Sequence, residues 1–135
     1  MIELYLSIAE KLNEIEELKY IDIDGSEEIK TSPSAFISLG KIPWEQLTEG
    51  TMLGEFPFTV KVDITPYHRS AADTPEPVLT KLYESLDVIK LVKTKMLNEA
   101  ITYITGVTLT GEDIKKHGGK FTLILDFKAQ VNYEP

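Results

Sequence analysis

Between Phe56 and Thr65 the chain reads FPFTVKVDIT, with Phe56, Phe58, Val60, Val62 and Ile64 on one parity and Pro57, Thr59, Lys61, Asp63 and Thr65 on the other. A period of two is the signature of a strand with one face in a core and the other in water. A second run has the same texture: Phe121, Leu123, Leu125, Phe127, Ala129 and Val131 alternate with Thr122, Ile124, Asp126, Lys128 and Gln130. Strands of a parallel sheet covered on both faces would be apolar without interruption, so two one-sided strands predict a largely antiparallel sheet. The apolar face then needs a helical cover.

Two segments supply it. From Ile2 to Lys19, the residues Ile2, Tyr5, Leu6, Ile8, Ala9, Leu12, Ile15 and Leu18 recur at helical spacing among glutamates and lysines, which predicts an amphipathic helix. Later, Thr74 is a candidate N-cap with Pro75 at the first helical position. Val78, Leu79, Leu82, Tyr83, Leu86, Ile89, Val92 and Met96 then recur at three and four, so a second helix is expected into the nineties, with a break near Leu91 where Val88 and Leu91 widen the stripe.

Between and after the helices, short strands are expected at Tyr20–Asp24, ahead of an Asp-Gly turn, and at Ala35–Leu39, stopped by Gly40. Lys41 to Glu55 holds Pro43, Gly50 and Gly54 and is expected to be an irregular connection pinned by Trp44 and Met52. Ala100–Thr110 predicts a strand interrupted by Gly106, with either a bulge or a close backbone approach there. Gly111–Lys120 predicts the long polar tip of a hairpin leading into the last strand. The order is α+β: a mainly antiparallel four- to five-stranded sheet with two helices packed on one face, forming a single domain over 1–135.

Charge and composition narrow the function. The 135-residue chain carries 22 acidic and 14 basic side chains, a net charge of -8, which opposes nonspecific attraction to phosphate backbones. It contains no cysteine, which excludes disulfides and thiolate zinc sites. Its N-terminus lacks the pattern of a secretory signal, and no run has the length of a membrane-spanning helix. A soluble, intracellular product is expected.

No constellation for catalysis emerges. Asp22 and Asp24 lie two apart before Gly25, but the further acids of a calcium loop are missing, so a strand end with an Asp-Gly turn is the simpler reading. His68 and His117 have no cysteine, serine motif or second histidine at a working spacing. Gly118-Gly119-Lys120 lacks the upstream glycine of a phosphate loop and precedes a strand instead of a helix. The expectation is a protein that is not an enzyme, with no cofactor and no metal.

The whole chain resembles the tail-completion proteins of tailed bacteriophages, the tail terminator and head-to-tail joining group. The likeness lies in a short opening helix, a long strand such as EFPFTVKVDIT, a helix entered from ADTPEPVLTKLYESLDVI, and closing strands such as GVTLTGEDI and KFTLILDFKAQV. It implies a structural virion protein of a phage or prophage. Such a protein forms a ring, usually a hexamer, at the head-proximal end of the tail. It has no catalytic residues, and its partners are copies of itself, the tail-tube protein and a head-completion protein. DNA would pass through without specific binding, and no membrane is involved. The protein would be made in the host cytoplasm and travel in the virion tail. A ring with heterologous contacts needs two different adhesive surfaces. The candidates are the connection 41–55, with Trp44, Leu47 and Met52, and the loop 67–77, with Tyr67, His68 and Arg69. The competing readings are a small ligand-binding or enzymatic α+β domain, with a site on the uncovered sheet face or in the loops, and an adaptor that binds through a strand edge.

Overall fold

The computed structural model describes residues 2–23, 33–43, 45–48, 51–64, 75–117 and 120–133. Their elements run α1 (Ile2–Asn13), β1 (Tyr20–Ile23), β2 (Ser34–Leu39), β3 (Glu45–Thr48), β4 (Thr51–Ile64), α2 (Pro75–Leu97), β5 (Ile104–His117) and β6 (Lys120–Tyr133). The strands form one sheet ordered β1-β2-β4-β6-β5, with β3 added beside β4. All pairings are antiparallel except β1 with β2. This is the expected α+β class.

Strand β4 is the spine. On one side it pairs with β6 from Met52↔Tyr133 to Ile64↔Phe121. On the other side it is shared, with β2 against Phe58–Asp63 and β3 against its first residues. Phe56, Phe58, Val60, Val62 and Ile64 are buried, as the alternation predicts, and Leu125, Phe127, Ala129 and Val131 of β6 lie beside them on the same face. The rings of Phe58 and Phe127, directly opposite in register, stack at 5.0 Å. Ala35 and Ile37 of β2 extend this face, and Leu4, Ile8 and Leu12 of α1 close over it with Val88, Val92 and Met96 of α2.

A proline inside a central strand usually breaks a ladder, yet Pro57 sits mid-β4. Its carbonyl accepts a 2.7 Å hydrogen bond from Gly40 N, so its nitrogen, which points to the same side, faces the gap where β2 has ended. The ladder to β6 loses nothing. Gly40 is required by the same approach: a Cβ there would meet Pro57 Cγ at 2.5 Å and the Pro57 carbonyl oxygen at 2.9 Å.

Several boundaries differ from expectation. Helix α1 stops at Asn13, not Lys19. Beyond it, Ile15 and Leu18 stay buried through successive turns closed by Ile15 N to Leu12 O and Leu18 N to Ile15 O, because a spacing of three suits consecutive turns as well as a helix. The described residues of the connection 41–55, expected to be irregular, include β3 and the start of β4. Pairing on both sides of β4 there outweighs the poor strand propensity of Gly54. Helix α2 begins at Pro75 as expected and runs unbroken past Leu91, since Val88, Ile89, Val92 and Met96 form one buried stripe with Leu91 at its margin. The N-cap assigned to Thr74 lies outside the described residues.

The last hairpin departs most. Ile101 to Tyr103 form a tight turn before β5, with Ile104 N bonded to Ile101 O and Tyr103 at a φ of 69°. Of the two alternatives at Gly106 the bulge is present, between Ile104 and Gly106, and a second falls between Leu109 and Gly111. The polar stretch 111–117 is strand and not a loose tip, pairing with β6 until His117↔Lys120. An edge strand exposed on both faces needs no apolar alternation, which is why its pattern is silent. Among the described residues no helix is long and apolar enough to cross a membrane.

Two stability measurements check this packing. Val60→Asp, at a position with no exposure, buries a carboxylate among aliphatic side chains and is expected to cost several kcal/mol, about the whole margin of a small domain. Gly40→Ala is expected to lose roughly 1–3 kcal/mol by overpacking, whereas at Gly111 a Cβ makes only an ordinary 3.5 Å contact with Asp126. Gly111→Ala should therefore melt within a few degrees of the parent. Equal losses for the two glycine variants would refute the β2–Pro57 geometry.

Candidate functional site

The sheet face turned away from the helices is polar and partly open. Thr59 Oγ1 donates to Asp126 Oδ1 at 2.8 Å and Thr122 Oγ1 to Asp63 Oδ1 at 2.7 Å; each pair sits directly opposite in the β4–β6 register. Thr110 Oγ1 adds a 3.1 Å bond to the Asp126 carbonyl, and Lys128 Nζ lies 2.6 Å from Glu55 Oε1. The lysine holds the exposed Glu55 carboxyl below its usual range. These cross-strand pairs tie neighbouring strands together. In each threonine–aspartate pair the hydroxyl donates to a carboxylate opposite it, and no described histidine or cysteine completes a nucleophile relay.

On β2 and β1 the same face is less wet than alternation predicts. Ser34 and Phe36 point this way yet are buried, Phe36 with 8% of its surface exposed, and the Tyr20 ring lies 6.4 Å from that of Phe36. Tyr20 Oη donates to Asp22 Oδ2 at 2.7 Å, and holding its proton against that carboxylate raises the phenol above its usual range. Asp22 also accepts from Ile23 N. Its envisaged metal partner, Asp24, lies outside the described residues, among which no group of three or more histidine, cysteine or acidic side chains is arranged to hold a metal ion.

At one end of this face a shallow hollow of about 260 Å³ is lined by Pro43, Leu53, Gly54, Glu55 and Gln130. It borders the segment that supplies three of the candidate interface residues. Leu47 lies in β3, and Met52 in β4 faces Gln46 of β3 and Tyr133 of β6 in register. Trp44, Tyr67, His68 and Arg69 lie outside the described residues. His117 closes β5 opposite Lys120 instead of sitting in a glycine tip. The sequence reading singled out neither sheet edge. There Ile23 of β1 and Ile114 of β5 stand 54% and 55% exposed. The signal was available in Ile114, a lone aliphatic residue in the polar tract GEDIKKH.

Neither a protein-family model nor a curated protein matches the chain in sequence. Among solved structures, it is similar to a chain of one described as the virion of a native gene transfer agent (GTA) particle, with a TM-score of 0.59 and 10% sequence identity. The alignment covers 96% of this chain and 95% of that one. The likeness is one of fold.

The helical layer carries its own polar device. Lys11 and Lys95 each contact both Glu14 and Glu99, at 3.1 to 3.5 Å, closing a four-membered ring of charge between the C-terminal ends of α1 and α2. Bonds from Lys95 and then Lys11 lower the Glu99 carboxyl, and Glu99 in turn raises Lys11. A lowered carboxylate stabilises the fold above its unfolded pKa, and that contribution disappears as pH falls through the folded value. Glu99→Gln should therefore melt below the parent at neutral pH, with the gap closing as pH drops below the ordinary carboxylate range. A gap that persists undiminished at the acid end would show that Glu99 acts by packing alone. The matching loss at alkaline pH belongs to Lys11, above the usual ammonium range.

Proposed function

We propose that this protein is a structural component of a tailed-phage or prophage virion, a ring subunit at the head-proximal end of the tail that ends the tail or joins it to the head. The observation that carries this reading is the likeness of fold, over nearly the full length of both chains, to a chain from a gene transfer agent virion. It is supported by the element order shared with tail-completion proteins and by an open sheet face built from mutually bonded polar side chains. In this reading the chain is one domain, works without a cofactor, and is not an enzyme. It is made in the host cytoplasm and carried in the virion tail. Its partners are further copies of itself, usually six to a ring, with the tail-tube protein on one side and a head-completion protein on the other. A net charge of -8 suits a passage for DNA, since like charge keeps a duplex from adhering to the wall.

The test is deletion of the gene from an inducible prophage, followed by electron microscopy of the lysate. The expected result is filled heads without attached tails, together with free tails, some of abnormal length. Normal infectious particles in the usual numbers would end this reading and favour a small interaction or ligand-binding domain.

A further inference from the structure

The outermost described strands offer little to a second copy. Ile23 N donates to Asp22 Oδ1 at 2.7 Å and Ile114 N to Asp113 Oδ1 at 2.8 Å, so the side chain ahead of each isoleucine already holds its amide. The helical layer is different. Helix α1 lies over β1 and β2, α2 lies against β5, and their adjacent flanks are joined by the charge ring of Lys11, Glu14, Lys95 and Glu99. At 3.6 residues per turn, Ile2 sits about 180° and Leu6 about 140° around α1 from Lys11, and Leu86 sits about 180° around α2 from Lys95. These side chains thus point away from the neighbouring helix, to opposite sides of the layer. Lys93 shares the flank of Leu86 and bridges to Glu112 of β5, so this flank faces the end of the sheet. Each helix already covers the sheet with another row, Leu4, Ile8 and Leu12 on α1 and Val88, Val92 and Met96 on α2. Ile2 and Leu6 are nevertheless 69% and 49% exposed and Leu86 50%, which makes a second apolar surface that the sheet does not use. The charges beside it are opposite. Glu10 follows Leu6 by one turn on α1, and Lys90 follows Leu86 by one turn on α2. Both are exposed, and neither belongs to the charge ring or to the Lys93–Glu112 pair.

We propose that the outer flank of α1 in one copy docks on the outer flank of α2 in the next, setting the Ile2–Leu6 row against Leu86 and Glu10 against Lys90. This rests on the ring reading above. In both helices the apolar residue precedes the charged one by four, so the two pairs match when the helices run in the same direction, at a packing distance of about 8–10 Å. The sense of the contact is set by charge. A pairing of like flanks brings like charge together, whereas the acidic flank of one copy on the basic flank of the next is heterologous and passes from subunit to subunit as a ring requires. A few apolar side chains and one exposed ion pair make a weak joint alone. It fits a subunit that assembles where a tail tip gathers its copies.

The chain's lack of cysteine makes the joint directly testable. Leu6→Cys and Leu86→Cys, singly and combined, are introduced into the inducible prophage. Purified particles are treated with a short bis-maleimide, and this chain is detected on denaturing gels. The double variant should give a ladder of multiples of the 15.2 kDa chain, while each single variant stays at the monomer. Particles that contain the double variant but yield no ladder overturn the docking and leave the virion role standing. Dimers from a single variant overturn its head-to-tail sense, and wild-type particles devoid of the chain overturn both readings. Charge reversal supplies a second readout. Glu10→Lys or Lys90→Glu alone places like charges at every joint and should lower infectious titre roughly tenfold or more, while the combined exchange restores it to within about threefold. With melting temperatures preserved, a combined variant no better than the single ones refutes the register.

Discussion

Burial of one face of β4 while both of its backbone edges are occupied is the constraint on which the rest of the fold depends. Each aliphatic or aromatic side chain removed from water on that face is worth about 1.5–3 kcal/mol relative to exposure. The gain requires a ceiling, which α1 and α2 provide, and lateral partners, which β2, β3 and β6 provide. Even Pro57 obeys the constraint. It occupies the place along β4 where β2 has stopped, so its missing donor faces no ladder.

Where a segment's conformation follows from this burial, its sequence declares it. The alternation of β4 and β6, the existence of α2, its buried Ile89, Val92 and Met96 and the proline at its start read correctly, whereas Leu86, placed in the same stripe by its spacing, stands half exposed. Legibility fails where backbone pairing, not side-chain burial, decides the conformation. Strand β3 and the outer part of β5 bury little that is described and hold their place by hydrogen bonds to a neighbour whose position is known only from the fold. The two register shifts in β5 compound this. Ile104, Val107, Leu109 and Ile114 all reach the helix-side face, but the intervals between them fit neither a period of two nor a helix. In α1 the failure runs the other way, as Ile15 and Leu18 keep a helical spacing through turns that are no longer helix.

The open face of the sheet illustrates why function is harder to read than fold. Its threonines and carboxylates look in sequence like ordinary wet-face residues, and in space they bond to one another across strands. A surface specialised for meeting large partners needs flatness, matching edges and charge placement, none of which has a local motif. Trp44 draws attention in the sequence because it is the one tryptophan of the chain, whereas Ile114 is one aliphatic residue among many and is set apart only by its exposure.

The long reach of the β4–β6 pairing also shapes how the chain comes into being. Thr59 and Asp126, bonded across the two strands, are 67 residues apart. At about 5–20 residues per second, a ribosome delivers the second roughly 3–13 s after the first. Through most of that interval β4 is complete while its principal partner does not exist, and α1, β2 and, once it has been made, α2 are what can shield its phenylalanines. The β5–β6 hairpin has the opposite history: its strands meet at His117 and Lys120, and such a local pair forms in about 1–10 μs. The last step of folding is thus the docking of a ready-made hairpin onto a strand that has been waiting for it.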